Sequence, residues 1–148
     1  MSFAHGRVKT MKKKHVIALV LCVLLIGGAA ALVHLFFPKA RPIRCPDSRE
    51  VISVTVGKNA SKGDTPVDEG DWEELLSLLG RGKATRKWSL YDVPVNRPYY
   101  VLEIGTGERH YRYFVYKSGD WVYIELPYEG IYRGKNRLYE IISTQGEL

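Results

Sequence analysis

YYVLEIGTGERHYRYFVYKSGDWVYIEL, residues 99–126, is the stretch that decides the fold of this 148-residue chain. It contains three runs of aromatic and β-branched residues, separated by short turns at 105–108 and 118–120. Such residues favour strands, and connections this short join strands that run antiparallel. The stretch therefore predicts an antiparallel β-meander with strands at 99–104, 110–117 and 121–126.

The residues on either side of the meander predict an α+β domain. Residues 51–56 alternate as a strand does, with Ile52, Val54 and Val56 on one face, and 84–90 predict another strand. Residues 71–79 predict a helix with an apolar stripe, and 135–142 predict a short C-terminal helix. The stripe of the first helix is Trp72, Leu75, Leu76 and Leu79, and that of the second is Leu138, Ile141 and Ile142. We expect one helix to pack across the sheet.

An apolar run near the amino end predicts a membrane helix. From 16 to 37 only His34 carries a polar side chain, and about 20 such residues span a hydrocarbon core. Two alternatives stay open, a signal peptide cleaved near Ala31 and lipidation at Cys22. The predicted organisation is a basic cytoplasmic tail (1–14), a transmembrane helix (15–37), a Pro-rich stalk (38–49) and an extracytoplasmic domain (50–148).

The distribution of charge predicts the orientation of that helix. Five basic residues and no acidic one precede residue 16, so the amino end is expected in the cytoplasm and the domain outside, with residues 16–37 in membrane lipid. The formal charge of +6 is therefore mostly topogenic, and residues 39–148 carry a net charge near +1. This balance argues against nucleic acid as a partner, because phosphate binding needs a concentrated basic surface.

Cys45 is the one cysteine predicted to lie outside the bilayer, within the Pro-rich stalk. A single thiol cannot form an internal disulfide. It is interpreted either as a free thiol or as half of an intermolecular bridge, and the oligomeric state stays open.

Two short motifs resemble those of a known family. Leu126-Pro-Tyr-Glu-Gly-Ile-Tyr132 before a terminal helix, and Ser89-Leu-Tyr-Asp-Val-Pro94 before the meander, are similar to motifs of a small bacterial domain of unknown function. The resemblance covers roughly residues 50–143. It implies membrane-anchored, extracytoplasmic proteins, mostly from Gram-positive bacteria, and it implies no reaction.

No catalytic, cofactor-binding or metal-binding constellation is predicted. His110 is the only histidine of the domain and is interpreted as a surface residue. One histidine and a distant cysteine are too few ligands for zinc. An envelope hydrolase that uses Glu103 and Glu125 as a carboxylate pair is an alternative, although arginine partners would explain both residues.

Tyrosine and arginine are concentrated on the meander, and both are enriched at binding hot spots. The predicted binding face consists of Arg109, Tyr111, Arg112, Tyr113, Trp121 and Tyr123. Its partner would be a protein or a cell-wall polymer, and ordinary sheet packing explains the same residues equally well. A third hypothesis is attachment to anionic wall or lipid polymers through Arg81, Lys83, Arg86 and Lys87.

Overall fold

A computed structural model describes residues 12–59 and 65–146, and the chain divides into two units, Met1–Pro38 and Lys39–Leu148. The first unit contains helix α1 (Lys13–Phe36), all of whose side chains are exposed. Its 24 residues span roughly 36 Å. The helix is long and apolar enough to be a membrane span or a signal sequence. Residues 1–11 of the predicted basic tail lie outside the described residues.

The second unit is built on a seven-stranded antiparallel sheet with the strand order β2-β1-β4-β5-β6-β7-β3. Its strands are β1 (Val51–Lys58), β2 (Thr65–Pro66), β3 (Lys83–Ala84), β4 (Tyr99–Thr106), β5 (His110–Ser118), β6 (Trp121–Leu126) and β7 (Gly130–Arg133). The predicted meander is confirmed as β4–β5–β6. Its strand ends lie within two residues of the predicted ends, because the glycine-containing turns mark them.

One face of the sheet, here called the core face, is covered by α2 (Glu69–Gly80) and α3 (Asn136–Gly146). The apolar stripes predicted for both helices turn inward, with Leu75, Leu79 and Leu138 fully buried. Each such side chain contributes about 1.5–3 kcal/mol through its burial. Asp68 begins α2 by accepting a hydrogen bond from the N–H of Gly70 at 2.7 Å. The α+β class predicted from the sequence is confirmed.

Strand β1 departs from the predicted alternation at its start. Val54 and Val56 are buried in the core, but Ile52 is 68% exposed. The cause is an irregularity in the pairing with β4 between Val51 and Ser53. A bulge of this kind changes the face on which the preceding residues lie. The prediction for Ile52 is therefore wrong, and Val51 packs against the core instead.

The strand predicted at 84–90 is wrong, since β3 contains only Lys83 and Ala84. Thr85 and Lys87 still exchange backbone hydrogen bonds with Ile131 of β7. Beyond them the chain leaves the sheet edge and crosses the other face, here called the outer face. Strands β2 and β7 were not predicted, because two and four residues are too short to show a period. Residues 60–64, between β1 and β2, lie outside the described residues.

The Pro-rich segment expected to form a stalk lies against the core face. The hydroxyls of Tyr132 and Tyr113 donate hydrogen bonds to the carbonyls of Arg41 and Arg44 at 2.6 and 2.7 Å. Between these anchors Ile43 is buried in the core. Cys45 is a free, partly buried thiol whose pKa is raised by burial. The compact unit thus begins at Lys39 rather than at residue 50.

Candidate binding surface

A row of residues crosses the outer face at right angles to the strands. Lys83 lies opposite Arg133, and Arg133 lies opposite Tyr123. Tyr123 pairs in turn with Tyr116, and Tyr116 pairs with Tyr99. Directly paired residues project to the same face, and neighbouring strands are about 4.8 Å apart. The row therefore spans five strands and roughly 19 Å.

Aromatic rings form the floor of this row. Tyr99 packs edge-on against Phe114 with their centroids 5.6 Å apart, and Tyr116 stacks on Tyr123 at 5.7 Å. The guanidinium of Arg97 lies 5.7 Å from the ring centre of Tyr99. The buried hydroxyl of Tyr99 has no hydrogen-bond partner within the described part of the chain. The floor is thus apolar, with cations at its surface.

Two further cations lie over the rings of the exposed Trp121 and the partly buried Tyr123. The guanidinium of Arg133 is 4.1 Å from the ring centre of Trp121, and the ammonium of Lys87 is 5.7 Å from that of Tyr123. Exposed pairs of this kind contribute about 0.5–1 kcal/mol each, so they also hold the cations in place. We call this surface the basic strip: Lys83, Lys87, Arg97, Trp121, Tyr123 and Arg133. None of its four cations forms an ion pair with another described residue.

A buried carboxylate attaches the loop 85–98 to the outer face. Glu125, only 5% exposed, accepts a hydrogen bond from the hydroxyl of Ser89 at 2.7 Å. The Tyr116 hydroxyl also bonds to it, and burial together with this carboxylate raises the pKa of Tyr116. Satisfied buried bonds of this type rigidify what they connect. The loop therefore has a defined conformation beside the basic strip.

The six residues of the predicted binding face do not form one surface. Arg112, Trp121 and Tyr123 lie on the outer face, where Arg112 pairs with Glu103 at 2.6 Å. Tyr113 lies on the core face, is 1% exposed and cannot reach a partner. The prediction is therefore wrong for Tyr113, because the strand alternation places it opposite its neighbour Arg112.

The other two predicted residues, Arg109 and Tyr111, lie at the β4–β5 hairpin end of the sheet. They line an open cleft of about 410 Å³ together with Glu50, Thr106 and Glu108. His110, in the same hairpin, is exposed as predicted. Charges of both signs line the cleft, so it does not present the uniform positive charge of the basic strip.

The sequence-based hypothesis of an anionic partner did not include Arg97 or Arg133 among the residues that would bind it. Arg133 lies on β7, which was not predicted, so nothing placed its side chain beside Trp121. Of the four residues in the third hypothesis, Lys83 and Lys87 belong to the basic strip. Arg81 instead ends helix α2, and Arg86 is half-buried.

The proposed carboxylate pair is engaged in other contacts. One oxygen of Glu103 accepts two hydrogen bonds from Arg112, at 2.8 and 2.6 Å. Glu125 is sealed beneath Ser89 and the loop. Within residues 12–59 and 65–146, no group of three His, Cys, Asp or Glu residues is placed to hold a metal ion. The arrangement thus offers exposed cations and rings rather than an accessible acid–base pair.

Comparison with known proteins identifies a family whose match lies within the second unit. Residues 39–133 match the family model DUF5301, described as a domain of unknown function (DUF5300). An NMR structure of a protein from Ruminococcus gnavus is similar, with a TM-score of 0.54 and 29% identity. That likeness covers 68% of this chain and 98% of the other. No curated protein matches the chain.

Proposed function

The chain belongs to the DUF5301 family, and from that premise we propose that it is a single-pass membrane protein whose extracytoplasmic domain binds an anionic polymer of the cell envelope. The role proposed is binding and not catalysis. The observation that carries it is the basic strip, in which unpaired cations are held on an aromatic floor.

The length and composition of α1 support the anchor. Its 24 residues exceed the roughly 20 needed to span a bilayer, and an intact helix satisfies its own backbone in lipid. Lys12, Lys13 and Lys14 lie at its amino end, which the positive-inside rule assigns to the cytoplasm. Cleavage as a signal peptide is the alternative, and it would release the domain.

The shape of the basic strip favours an extended partner. The part of the row that reaches solvent runs from Lys83 through Arg133 to Tyr123 over roughly 10 Å and is not enclosed, whereas small molecules are usually enclosed in concave pockets. Cations in sequence along a row match a polymer that carries repeated negative charges. The aromatic rings add flat apolar surface for its uncharged parts.

The electrostatic origin of this binding makes it sensitive to salt. The Debye length falls from about 30 Å at 0.01 M to about 8 Å at 0.15 M ionic strength. We therefore expect the affinity of the full chain, in detergent micelles, for poly(glycerol phosphate) to fall steeply over that range. A neutral dextran of similar length is the control polymer and should not bind.

A charge-matched pair of double variants tests the basic strip. Lys87→Ala with Arg133→Ala should weaken binding of poly(glycerol phosphate) roughly tenfold or more, since each lost contact is worth about 1 kcal/mol. The control, Arg49→Ala with Arg137→Ala, removes the same charge from exposed positions elsewhere. Equal weakening by both pairs, or affinity that does not change with salt, would refute the proposed binding site.

The anchor is tested separately by protease treatment of intact cells that carry the chain with tags at both ends. The carboxyl-terminal tag should be digested from outside, while the amino-terminal tag stays protected and remains in the membrane fraction. Loss of the amino-terminal tag from the mature chain would indicate cleavage and refute the anchor.

A further inference from the structure

The loop that crosses the outer face has an inverted burial pattern between residues 88 and 95. The polar Ser89 is 2% exposed, whereas large apolar side chains point into solvent. These are Trp88 (51%), Leu90 (71%), Tyr91 (60%), Val93 (39%) and Val95 (74%). A cluster of exposed apolar residues on a fixed loop marks a surface that another apolar phase covers.

The loop is held in this conformation by contacts on its polar side. Ser89 donates to the buried Glu125 at 2.7 Å, and Pro94 is buried. The hydroxyl of Tyr128, in the β6–β7 turn, donates to Asp92 at 2.6 Å. Tyr128 is itself 64% exposed, so it adds a sixth large side chain to the apolar surface. We call this surface the apolar loop: residues 88–95 with Tyr128.

The apolar loop lies beside the segment through which the chain joins α1. The N–H of Ala40 donates to the carbonyl of Thr85, at the base of the loop. A methyl group added to Gly130 would overlap that of Ala40, so the β6–β7 turn also lies against this residue. Ala40 comes three residues after Phe37, and three residues span at most about 11 Å. An inserted α1 would therefore keep the membrane surface within reach of the loop.

We propose that the apolar loop inserts into the interfacial region of the bilayer that holds α1. The inference rests on the anchor in the proposed function and adds a second membrane contact to it. Tryptophan and tyrosine are enriched at this depth, where the ring is in an apolar layer and the polar tip is in water. The loop is an interfacial contact and not a span, because it is short and stays attached to the sheet at both ends.

The charges around the apolar loop suit an anionic headgroup layer. Asp92 is the only acidic residue from 85 to 98, and its carboxylate accepts a hydrogen bond from Tyr128; the turn that carries Tyr128 adds one more acidic residue, the exposed Glu129. Basic residues lie on either side of the loop and in the segment that leads to α1. They are Lys39, Arg41, Arg86, Lys87 and Arg97.

Docking by this loop would leave part of the basic strip accessible. Trp121 is five residues along β6 from Leu126, so it lies roughly 17 Å from the β6–β7 turn. With that turn at the membrane, Trp121 and its partner Arg133 are at the far end of the sheet. The protein would then hold the domain in one orientation, with Trp121 and Arg133 directed away from the lipid and Lys87 close to it.

Tryptophan fluorescence in vesicles tests the proposal on the full chain, because none of the three tryptophans lies in α1. Two variants with a single tryptophan are compared: Trp72→Phe with Trp121→Phe leaves Trp88, and Trp72→Phe with Trp88→Phe leaves Trp121. The two remaining side chains are matched in exposure, at 51% and 52%. Both variants are reconstituted in phosphatidylcholine–phosphatidylglycerol vesicles with brominated acyl chains.

Bromine quenches at contact, and interfacial groups insert about 5–10 Å, so we expect roughly threefold or more quenching of Trp88 relative to Trp121. The emission of Trp88 should also shift to shorter wavelength. Leu90→Ser with Val95→Ser should abolish both effects, whereas Ile52→Ser, another exposed apolar position, should abolish neither. Circular dichroism of each variant checks that the fold is retained.

Flotation of the vesicles separates failure of the docking from failure of the anchor. A chain that does not float refutes both. A chain that floats while Trp88 and Trp121 are quenched equally, or not at all, refutes docking and leaves the anchor intact. A third outcome is a shift of Trp88 emission to shorter wavelength that grows with protein concentration, without quenching by bromine. It would show that the apolar loop contacts a second copy of the chain, and it would also refute docking.

Discussion

The two faces of the sheet differ in the hydrogen bonding of their buried tyrosine hydroxyls. On the core face, the hydroxyls of Tyr113 and Tyr132 reach backbone carbonyls of the segment after α1. On the outer face, the equally buried hydroxyl of Tyr99 has no partner among the described residues, while a neighbouring loop exposes large apolar groups. The core face is thus organised for packing and closed by two helices. The outer face keeps unpaired cations and exposed rings, which is what a binding surface requires.

The largest expected effect tests whether stability resides in the core face. Leu79→Ala, at a side chain with no exposure, should lower the free energy of unfolding by about 2–5 kcal/mol through lost burial and a cavity. Val95→Ala, in the apolar loop, should change it by less than about 0.5 kcal/mol. Urea unfolding of the full chain in mild detergent measures both. Similar losses in the two variants would break the distinction between the faces.

A matched pair of tyrosine substitutions compares the two faces directly, with expected effects of intermediate size. Tyr113→Phe removes the hydrogen bond to the carbonyl of Arg44 and should lower the free energy of unfolding by about 1 kcal/mol. Tyr99→Phe removes a buried hydroxyl without a partner, so it should raise the free energy of unfolding by about 1 kcal/mol. The same atom is deleted in both, and only the face differs. Changes of the same sign in the unfolding experiment would contradict this account.

The smallest expected effect concerns the ion pair that links the helices over the core face. Arg137 donates to Glu74 at 3.0 Å, and this bond lowers the pKa of Glu74 below its ordinary value of 4.5. Since the folded pKa is the lower one, the pair stabilises the fold above about pH 4.5, and that contribution is lost as the pH falls through the folded pKa. Arg137→Ala should return the pKa of Glu74 towards 4.5, as measured by NMR titration.

A second exposed pair supplies the control for this titration. Hydrogen bonds from Arg49 lower the pKa of Asp47 to about 2. Arg49→Ala should therefore raise the pKa of Asp47 and leave that of Glu74 unchanged. If Arg137→Ala does not move the pKa of Glu74, the two helices are held together by their apolar contacts alone.

Much of the fold follows from local pattern. The meander, α2, α3 and the inward stripe of each helix are predicted because alternation and helical spacing report which side chains turn inward. The prediction fails where the elements are too short for a period, as in β2 and β7, or where a bulge interrupts it, as at Ile52. For the same reason, Arg133 on β7 was not included in the candidate site. Tyr113 was included, although the strand alternation buries its side chain.

The sequence by itself determined an apolar helix at the amino end and an α+β domain, since both depend on spacing along the chain. It also indicated that aromatic and basic residues are concentrated in the domain. Only the tertiary structure decided which of these residues share a surface, because strand pairing brings Lys83, Tyr123 and Arg133 together from distant positions. It also decided that residues 88–95 turn apolar side chains outward. That orientation depends on a buried bond between Ser89 and Glu125, which are 36 positions apart.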